Sequence, residues 1–409
     1  MRKFTSDVAV IGGGPAGLMT AITAAGRGKR VILIERNNSC GKKLLITGKG
    51  RCNVTNNCAC DEVMSNIPRN PRFMFSSLSA FGPSDVMKWF QDRGVQLKTE
   101  RGNRVFPESD KSNDVLQVLL KASKAEGVEI ITGRATEILT SDSIVSGVKG
   151  EDFEIKCSNV VLATGGKSYP LTGSTGDGYK MASKLGHSIV EPKPSLVPLE
   201  EDGDDCAKMQ GLALKNISVK LINQKGKAVF SDFGELLFTH FGVSGPVVLS
   251  ASAHMKEKDT YKLRLDLKPA LDEKTLDARI LRDFEKYQNR DFSNALSDLL
   301  PRLLIPVIIE RSGIPSDIKV NSITKSQRRS LLEAMKFFDI LILGKRPIEE
   351  AIVTSGGIKT GEINPTTLES KLVSGLYFAG EIIDVDAYTG GFNLQVAWST
   401  AYAAGIAVR

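Results

Sequence analysis

The 409-residue sequence predicts an α/β fold in which a unit built on a parallel sheet is interrupted by a β-rich segment. Three observations lead to this prediction. A buried strand, a glycine turn, a helix and a second strand follow one another within residues 7–35, and another apolar strand ending in a glycine turn covers 159–166. The third is the proline-rich change of composition at 191–194, after which short alternating strands begin. At about 150 residues per domain, the length allows two to three domains.

The first elements of this fold lie close to the N-terminus. Residues 7–11 are apolar and β-branched, which is typical of a buried parallel strand. Residues 12–17 form a glycine turn, 18–25 favour a helix, and 31–34 form a second buried strand that ends at Glu35. This order predicts a β-α-β unit of about 30 residues.

The remaining elements follow from hydrophobic periodicity. Before the change of composition, the pattern predicts helices over 85–92 and 113–126 and strands over 129–132, 135–139, 144–149, 153–157 and 159–162. After it come strands over 217–221, 228–231, 236–239 and 261–267, then a helical stretch over 272–338 with breaks at Pro301, Pro306 and Pro315. The chain returns to buried strands at 351–357 and 375–381 and ends in a small-residue helix over 394–404.

Composition excludes several classes of protein. With 41% apolar and 25% charged residues, the chain is neither disordered, collagen-like nor a coiled coil. No apolar run approaches the roughly 18 residues of a membrane-spanning helix, and no signal peptide is visible, so we expect a cytoplasmic protein without membrane contact. The net charge of +7 is scattered, which favours anionic ligands slightly and predicts no nucleic-acid partner. The six cysteines include no Cys-x-x-Cys pair, so we expect reduced thiols and no metal site.

The first glycine turn carries the pattern of a dinucleotide-binding site. It reads Gly12-x-Gly14-x-x-Gly17 between a strand and a helix, and the acid Glu35 follows at the end of the next strand. Gly12 allows the tight turn, Gly14 lets the backbone approach a pyrophosphate, and Gly17 lets the helix pack on the strand. A glutamate at the ribose position repels a 2′-phosphate, so a nucleotide of the NADP type is not expected here. This pattern alone leaves FAD and NAD open.

Two further segments favour a second phosphate or an anionic ring nearby. Residues 40–53 form a glycine-rich basic stretch, which is either a solvated loop or a set of cations for the ligand: Lys42, Lys43, Lys49 and Arg51. Near the C-terminus, Gly380-Glu381 and Gly390-Gly391 again place glycine turns before a helix. A second helix N-terminus would stabilise negative charge on a reduced flavin.

Long blocks of the sequence resemble the BaiN/YhiN-like family of flavoproteins, which are NAD(P)/FAD-dependent oxidoreductases and include bile-acid-linked BaiN members. The similar blocks span nearly the whole chain: residues 12–17, 41–56, 104–107, 163–170, 172–178, 237–246, 353–358, 378–381 and 389–393. Lys49 departs from the family, where many members carry glycine. The thiols Cys58 and Cys60 are not part of the family pattern either.

The resemblance implies a Rossmann-like FAD-binding domain built from both chain ends (1–190 and 350–409). It also implies an inserted β-barrel-like substrate domain (191–267 and 337–349) that carries a small helical subdomain (268–336). Together with the motifs above, it assigns FAD contacts to Gly12, Gly14, Pro15, Ala16, Gly17, Glu35, Arg36, Lys42, Lys43, Gly50, Arg51, Cys52, Asn53, Ala135, Thr164, Gly165, Gly380, Glu381, Gly391, Asn393 and Leu394. Ala135 is the expected backbone partner of the adenine, whereas Cys52 is interpreted as packing beside the flavin.

The bile-acid-linked members imply a reductase that acts on a conjugated carbon–carbon double bond of a 3-oxo steroid or bile-acid-like enone. Flavin N5 would deliver hydride to one carbon and a nearby acid would protonate the other. No second glycine fingerprint is visible, so any NAD(P)H would have to visit the flavin transiently, or the electrons would come from elsewhere. Other relatives imply an oxidase of a small amine, for which Asp384 or Asp386 would supply a carboxylate, or an RNA-modifying flavoprotein.

Three side chains are candidate proton donors. Tyr388 directly precedes the glycine turn at 389–391 and so is expected near the flavin ring, as a donor or as part of the pocket wall. His240 lies in a family block at a strand end, where a structural role competes with catalysis. Tyr169 follows a glycine turn and either donates a proton or covers the flavin.

Overall fold

The computed structural model describes residues 1–256 and 259–409. The chain divides into two compact units. The first unit combines Met1–Ser195 with Ile348–Arg409, and the second is Leu196–Pro347. Both chain ends therefore belong to one unit, and the other is a single continuous insertion.

Strands and helices follow one another in runs of one to five elements along the chain. The strands are β1 (Arg2–Thr5), β2 (Val8–Ile11), β3 (Val31–Glu35), β4 (Thr55–Asn56), β5 (Leu97–Glu100), β6 (Arg104–Pro107), β7 (Glu129–Thr132), β8 (Ala135–Ser141), β9 (Ile144–Gly150), β10 (Phe153–Lys156), β11 (Asn159–Leu162), β12 (Ile189–Ser195), β13 (Leu199–Glu201), β14 (Ala213–Asn223), β15 (Ala228–Thr239), β16 (Gly242–Ser244), β17 (Tyr261–Asp266), β18 (Phe338–Lys345), β19 (Val353–Ile358) and β20 (Leu376–Phe378). The helices are α1 (Pro15–Ala25), α2 (Lys42–Ile46), α3 (Cys60–Ser65), α4 (Phe75–Ala80), α5 (Pro83–Gln91), α6 (Ser112–Ala125), α7 (Asp177–Lys184), α8 (Asp205–Lys208), α9 (Pro246–Ser252), α10 (Glu273–Lys286), α11 (Ile305–Ser312), α12 (Lys325–Lys336) and α13 (Phe392–Ala407).

A five-stranded parallel sheet forms the centre of the first unit, in the order β20-β11-β2-β3-β7. Its strands β2, β3, β11 and β20 are buried along their whole length, because helices cover both faces of such a sheet. The strand β20 comes from the C-terminal part of the chain. The predicted Rossmann-like unit built from both chain ends is thus confirmed.

Three smaller sheets complete the first unit. One has the order β1-β10-β9-β8, another the order β4-β6-β5, and the third pairs β12 with β19. The strands β12 and β19 pair antiparallel, with Ser195 opposite Val353. They lie next to the two points at which the chain leaves and re-enters this unit.

The second unit contains a closed six-stranded barrel in the order β13-β16-β15-β14-β17-β18. This confirms the predicted β-barrel-like insertion, and α10, α11 and α12 fall within the stretch predicted to be helical. The two strands predicted at 228–231 and 236–239 are wrong as separate elements, because β15 runs continuously from Ala228 to Thr239. Its middle residues, 231–234, keep pairing with β14 and are largely exposed, so backbone hydrogen bonds hold the strand there without burial of apolar side chains.

Among the helices of the described residues, none combines the length and the apolar character that crossing a membrane requires.

Candidate functional site

The first glycine turn lies at the carboxyl end of β2. Gly12 has a φ of +111°, and a Cβ there would come within 2.5 Å of the Ala163 carbonyl oxygen. A Cβ on Gly17 would overlap the carbonyl oxygen of Gly12 itself. Both positions therefore accept only glycine if the turn is to close against β11.

Gly14 differs from its two neighbours in the motif because its surroundings are open. A Cβ there would meet no atom within 4 Å. Gly14 is the N-cap of α1, Pro15 and Ala16 follow in the first turn, and no side chain caps the helix. The first-turn N–H groups and the positive end of the helix dipole are left for an anionic ligand.

Glu35 ends β3 and is held in one orientation by the backbone around it. One carboxylate oxygen accepts a hydrogen bond from the Gly13 N–H at 2.8 Å, and the other accepts from the backbone N–H and side-chain amide of Asn37 at 2.7 and 2.8 Å. The side chain is buried. The oxygen that accepts from Gly13 has accepted only one hydrogen bond and retains a lone pair, so the group is suited to receive a ribose hydroxyl.

Lys43 and Glu381 form an ion pair that joins the two chain ends of the first unit. The Lys43 ammonium lies 2.7 Å from a Glu381 carboxylate oxygen and 2.8 Å from the Ser168 hydroxyl, to which it donates. The second Glu381 oxygen accepts from the Ser168 hydroxyl at 3.1 Å and from the Thr354 N–H at 2.8 Å. Both charged side chains are about one-fifth exposed, so the pair retains a face for a ligand.

The other predicted cationic side chains differ in how many hydrogen bonds and ion pairs they form with the protein. The Lys42 ammonium donates to the Asn37 amide oxygen at 3.2 Å. Arg36 pairs with Asp177 at 3.2 Å. Arg51 pairs with Glu100 and with Asp110 and lies over the Phe106 ring, whereas Lys49 is exposed.

Cys52 and its neighbour Gly50 have left-handed backbone conformations, with φ values of +61° and +83°. The Cys52 side chain is fully buried, and burial raises the pKa of its thiol to about 12. At neutral pH the group is therefore a thiol, which suits packing better than redox chemistry.

The second glycine turn lies at the start of α13. Gly391 is its N-cap with a φ of +99°, and a Cβ there would overlap the Thr55 carbonyl oxygen and come within 2.9 Å of Asn53 Oδ1. The side-chain amide of Asn393 holds the segment in front of this helix, accepting from the Ala387 N–H at 2.9 Å and donating to the Ala387 carbonyl at 2.7 Å. Leu394 follows in the first turn and is half-buried. The first-turn N–H groups of α13 lack a side-chain cap.

Two buried polar atoms beside these turns have no hydrogen-bond partner among the residues that the structure describes. One is Asn53 Oδ1, which lies beside Gly391. The other is Thr164 Oγ1, and the backbone of Thr164 packs against Gly12. Buried polar atoms without partners are rare in folded proteins. Together with the open space at Gly14 and the fixed carboxylate of Glu35, they fit a dinucleotide cofactor of the FAD type.

Ala135, the predicted adenine partner, is buried at the start of β8. It borders a cavity of about 200 Å³ that is also lined by Arg134, Asp177, Lys180 and Lys184. Asp177 pairs with Arg134 at 2.9 Å as well as with Arg36. Gly165 and Gly380, the remaining predicted contacts, have φ values of +71° and +76° and continue from the carboxyl ends of β11 and β20.

The three candidate proton donors lie in different environments. Tyr388 is half-buried, and burial together with the charge of Asp386 raises the pKa of its phenol. Tyr169 has a φ of +51°, and its pKa is raised by burial and by Glu350. His240 belongs to the second unit, is exposed, and has its ring centre 5.0 Å from that of Phe241.

Several residues that complete this site were missed by sequence reasoning. Asn37, Ser168, Thr354 and Asp177 orient Glu35, Lys43, Glu381 and the two arginines, as the contacts above describe. Ser168 and Asp177 lie within blocks that resemble the flavoprotein family, which was an available signal. Thr354 also lies within such a block, whereas Asn37 lies outside them and contacts Glu35, two residues before it.

The fold and this site define a FAD-dependent oxidoreductase with an inserted barrel. The family profile of the HI0933-like protein Rossmann domain matches residues 6–407, and the chain belongs to this family.

Three relatives cover nearly all of the chain. It is 32% identical over 405 residues to the 3-dehydro-bile acid delta(4,6)-reductase of Clostridium scindens, covering 97% of this chain and 98% of the relative. It is 29% identical to the ribosomal RNA dihydrouridine synthase of Haemophilus influenzae, covering 100% and 99%, and to that of Escherichia coli, covering 98% and 97%.

A solved structure with the same fold is 3-ketosteroid-Δ4-(5α)-dehydrogenase from Rhodococcus jostii RHA1 in complex with 4-androstene-3,17-dione. It has a TM-score of 0.52 and 16% identity, and the match covers 100% of this chain and 97% of that one. The similarity establishes the architecture of the chain.

Proposed function

We propose that the protein is a FAD-dependent reductase that saturates a carbon–carbon double bond conjugated to a carbonyl group in a 3-oxo steroid or bile-acid-like enone. NAD(P)H is the proposed transient donor that recharges the flavin. The observation that carries this proposal is the full-length similarity, at 32% identity, to a 3-dehydro-bile acid delta(4,6)-reductase. The apolar small-molecule substrate is part of the proposal.

Bound FAD supplies hydride chemistry at its N5 atom. The chain's own residues would hold and orient it: the N-terminus of α1 would receive the pyrophosphate, and Glu35 would accept from a ribose hydroxyl. Lys43 and Glu381 present their free faces to the rest of the cofactor, and the N-terminus of α13 stabilises negative charge.

Saturation of the double bond also needs a proton, and Tyr388 is its proposed donor. Its phenol oxygen gives the proton to the carbon next to the carbonyl, and solvent returns a proton to the phenolate. A raised pKa keeps the phenol in the proton-bearing form through neutral pH. Tyr169 is the alternative donor, and His240 of the second unit is the third.

An anaerobic flavin-bleaching experiment tests the function. The purified yellow protein is mixed with NADH, NADPH or aminoacetone and then with a 3-oxo-Δ4 steroid or a 3-oxo bile-acid derivative. Bleaching by a nicotinamide followed by reoxidation on the enone supports the reductase. Bleaching by aminoacetone with fast reoxidation by oxygen would instead establish a small-amine oxidase. A Tyr388→Phe variant, with Tyr402→Phe as the matched control, tests the proton donor.

A second candidate function is reduction of uridine in ribosomal RNA. Two relatives of full length are named for it, and the uracil double bond is also conjugated to a carbonyl, so the chemistry of the step is the same. In the second unit, an open groove of about 1110 Å³ carries Arg290, Arg302 and Lys319. Asp291 and Glu310 line the same groove, and Asp291 pairs with Lys319 at 2.7 Å. Arg290 lies over the ring of Tyr287, and Arg302 forms no ion pair among the described residues.

Mass spectrometry of ribosomal RNA separates the two substrates. RNA from cells lacking the gene is incubated with the protein and NADPH, and uridine-containing fragments are examined for a gain of two hydrogen atoms. A gain that Arg302→Ala reduces would support the RNA substrate. If the RNA is unchanged while the steroid reoxidises the flavin, the first proposal is retained.

A further inference from the structure

A buried carboxylate outside the predicted FAD contacts joins three segments of the first unit. Asp386 is 3% exposed, and its two oxygens accept hydrogen bonds from the hydroxyls of Ser195 at 2.8 Å and Ser355 at 3.0 Å. Burying a carboxylate is costly unless its oxygens are satisfied. The two serines are therefore needed to keep this side chain in its position.

The two serines lie on the two strands that connect the units. Ser195 is the last residue of β12 and of the first part of the first unit, and Ser355 lies in β19, which follows the re-entry at Ile348. In the β12–β19 pair, Ser355 is opposite Lys193. Asp386 thus contacts both the strand at which the chain leaves the first unit and the strand that follows its return.

Asp386 also belongs to the segment that carries Tyr388. The Tyr388 N–H donates to the Asn66 carbonyl at 3.0 Å, and the Asn393 amide donates to the carbonyls of Ala387 and Tyr388 at 2.7 and 3.2 Å. At the other end, Asn70 donates to the Asp384 carbonyl at 2.6 Å. The segment 384–388 is thus held at both ends, and the Asp386 side chain connects it to the strands β12 and β19.

We propose that Asp386 is a positioning residue that fixes the Tyr388 phenol and links its position to the two strands through which the chain passes to the second unit. This proposal rests on the proposed function for the role of the phenol as proton donor. The structural part, the link between the serines and the Tyr388 segment, is independent of that role.

The negative charge of Asp386 also affects Tyr388, because it helps to keep the phenol protonated. The Asp386 carboxylate opposes ionisation of the nearby phenol, and Arg69 and Asp384 are the other charged groups that act on Asp386. Neutralising Asp386 removes that opposition. In Asp386→Asn the alkaline limb of the pH profile of kcat therefore moves to lower pH.

The test uses the full-length holoenzyme in four variants: Ser195→Ala, Ser355→Ala, the double serine variant and Asp386→Asn. Ser123→Ala is the control, because Ser123 is fully buried in α6 and its hydroxyl donates to Leu119. Each single serine variant is expected to lower kcat for double-bond reduction about tenfold, which corresponds to one lost charge-assisted hydrogen bond. The double variant is expected to lose little more, because a carboxylate held by one serine alone no longer has a fixed orientation.

Hydrogen exchange gives a readout that does not depend on activity. Amides of residues 384–391 are expected to exchange faster in the serine variants and unchanged in Ser123→Ala. Unchanged exchange in both serine variants, or strictly multiplicative losses of kcat, would overturn the proposal. If Tyr388→Phe retains full activity, the donor assignment fails, and the exchange experiment still decides whether Asp386 links the three segments.

Discussion

The two glycine turns of the first unit begin helices α1 and α13, yet their N-cap glycines serve different purposes. Gly14 has an ordinary φ of −79° and empty space where a side chain would be. Gly391 has a φ of +99° and is pressed against the backbone of Thr55. The first glycine keeps room for a ligand, whereas the second lets two parts of the protein approach closely.

This difference shows that the same sequence signal, a glycine before a helix, arises from two physical requirements. In the first turn the requirement for close packing is met by Gly12 and Gly17, which leaves Gly14 free for the pyrophosphate. In the second turn the packing requirement falls on the N-cap itself. Substitutions at the two N-caps should therefore separate folding from cofactor binding.

The largest effect is expected for Gly391→Ala and Gly17→Ala. Each added methyl group overlaps a backbone carbonyl oxygen, and at Gly391 the left-handed φ adds strain. The cost is about 3 kcal/mol or more, a large part of the stability of a typical domain. Thermal unfolding of the apoprotein measures it, with Gly28→Ala as a control for strain without overlap. A normal melting temperature for Gly391→Ala would mean that the second turn is as open as the first.

A smaller effect on stability is expected when the ion pair between Lys43 and Glu381 is broken. Lys43→Met leaves Glu381 with only the Ser168 and Thr354 donors and removes a cation from the site. We expect a loss of about 1 to 3 kcal/mol of stability and a weaker affinity for FAD. Titration of the apoprotein with FAD and chemical denaturation measure the two effects. Lys42→Met is the control, since its ammonium contacts only a neutral amide oxygen in this structure, and an equal loss there would contradict the role of the pair.

Gly14→Ala should leave the apoprotein almost as stable as before, because the new methyl group meets nothing. It should still raise the Kd for FAD about tenfold, since the methyl group stands where the pyrophosphate approaches the backbone. Fluorescence titration of the apoprotein with FAD measures the Kd, and thermal unfolding without FAD measures the stability of the apoprotein. A drop in the stability of the apoprotein with unchanged FAD affinity would mean that Gly14, like Gly391, is required for packing and not for the ligand.

The smallest expected effect concerns the thiols near the second turn. Burial raises the pKa of Cys52 to about 12 and that of the less buried Cys58 to about 11. A raised pKa lowers the thiolate fraction, so alkylation of the native protein by iodoacetamide at pH 9 should be at least about tenfold slower at Cys52. Peptide mass spectrometry gives both rates. Faster labelling of Cys52 would indicate that the segment beside Gly391 opens.

The sequence was informative where local chemistry decides the structure. The strands at β2, β3 and β11 could be predicted because each is an uninterrupted apolar run, and α6 because its leucines recur on one side. The continuous strand β15 could not be predicted, because Asp232 and Gly234 interrupt the apolar pattern in its middle, which is held by pairing with β14.

The same limit applies to the site. Gly12, Gly17 and Glu35 follow from a short motif, but the partner of Lys43 is Glu381, 338 residues further along the chain. Arg51 carries the charge expected of a phosphate contact, yet Glu100 and Asp110 are its neighbours in the fold. Such pairings depend on which distant segments meet, and periodicity within one segment contains no information about them.

The pairing of β12 with β19 also determines how this architecture can be rearranged. Ser195 and Val353 are opposite each other, so the whole intervening stretch starts and ends at neighbouring points of the first unit. Opposed residues of antiparallel strands have Cα atoms only about 5 Å apart. A gene segment encoding residues 196–352, which contains the second unit and residues 348–352 of the first, is therefore exchangeable through a single pair of recombination points. Such an exchange would supply a new barrel while leaving Gly12, Glu35, Lys43 and Glu381 in their original chain context.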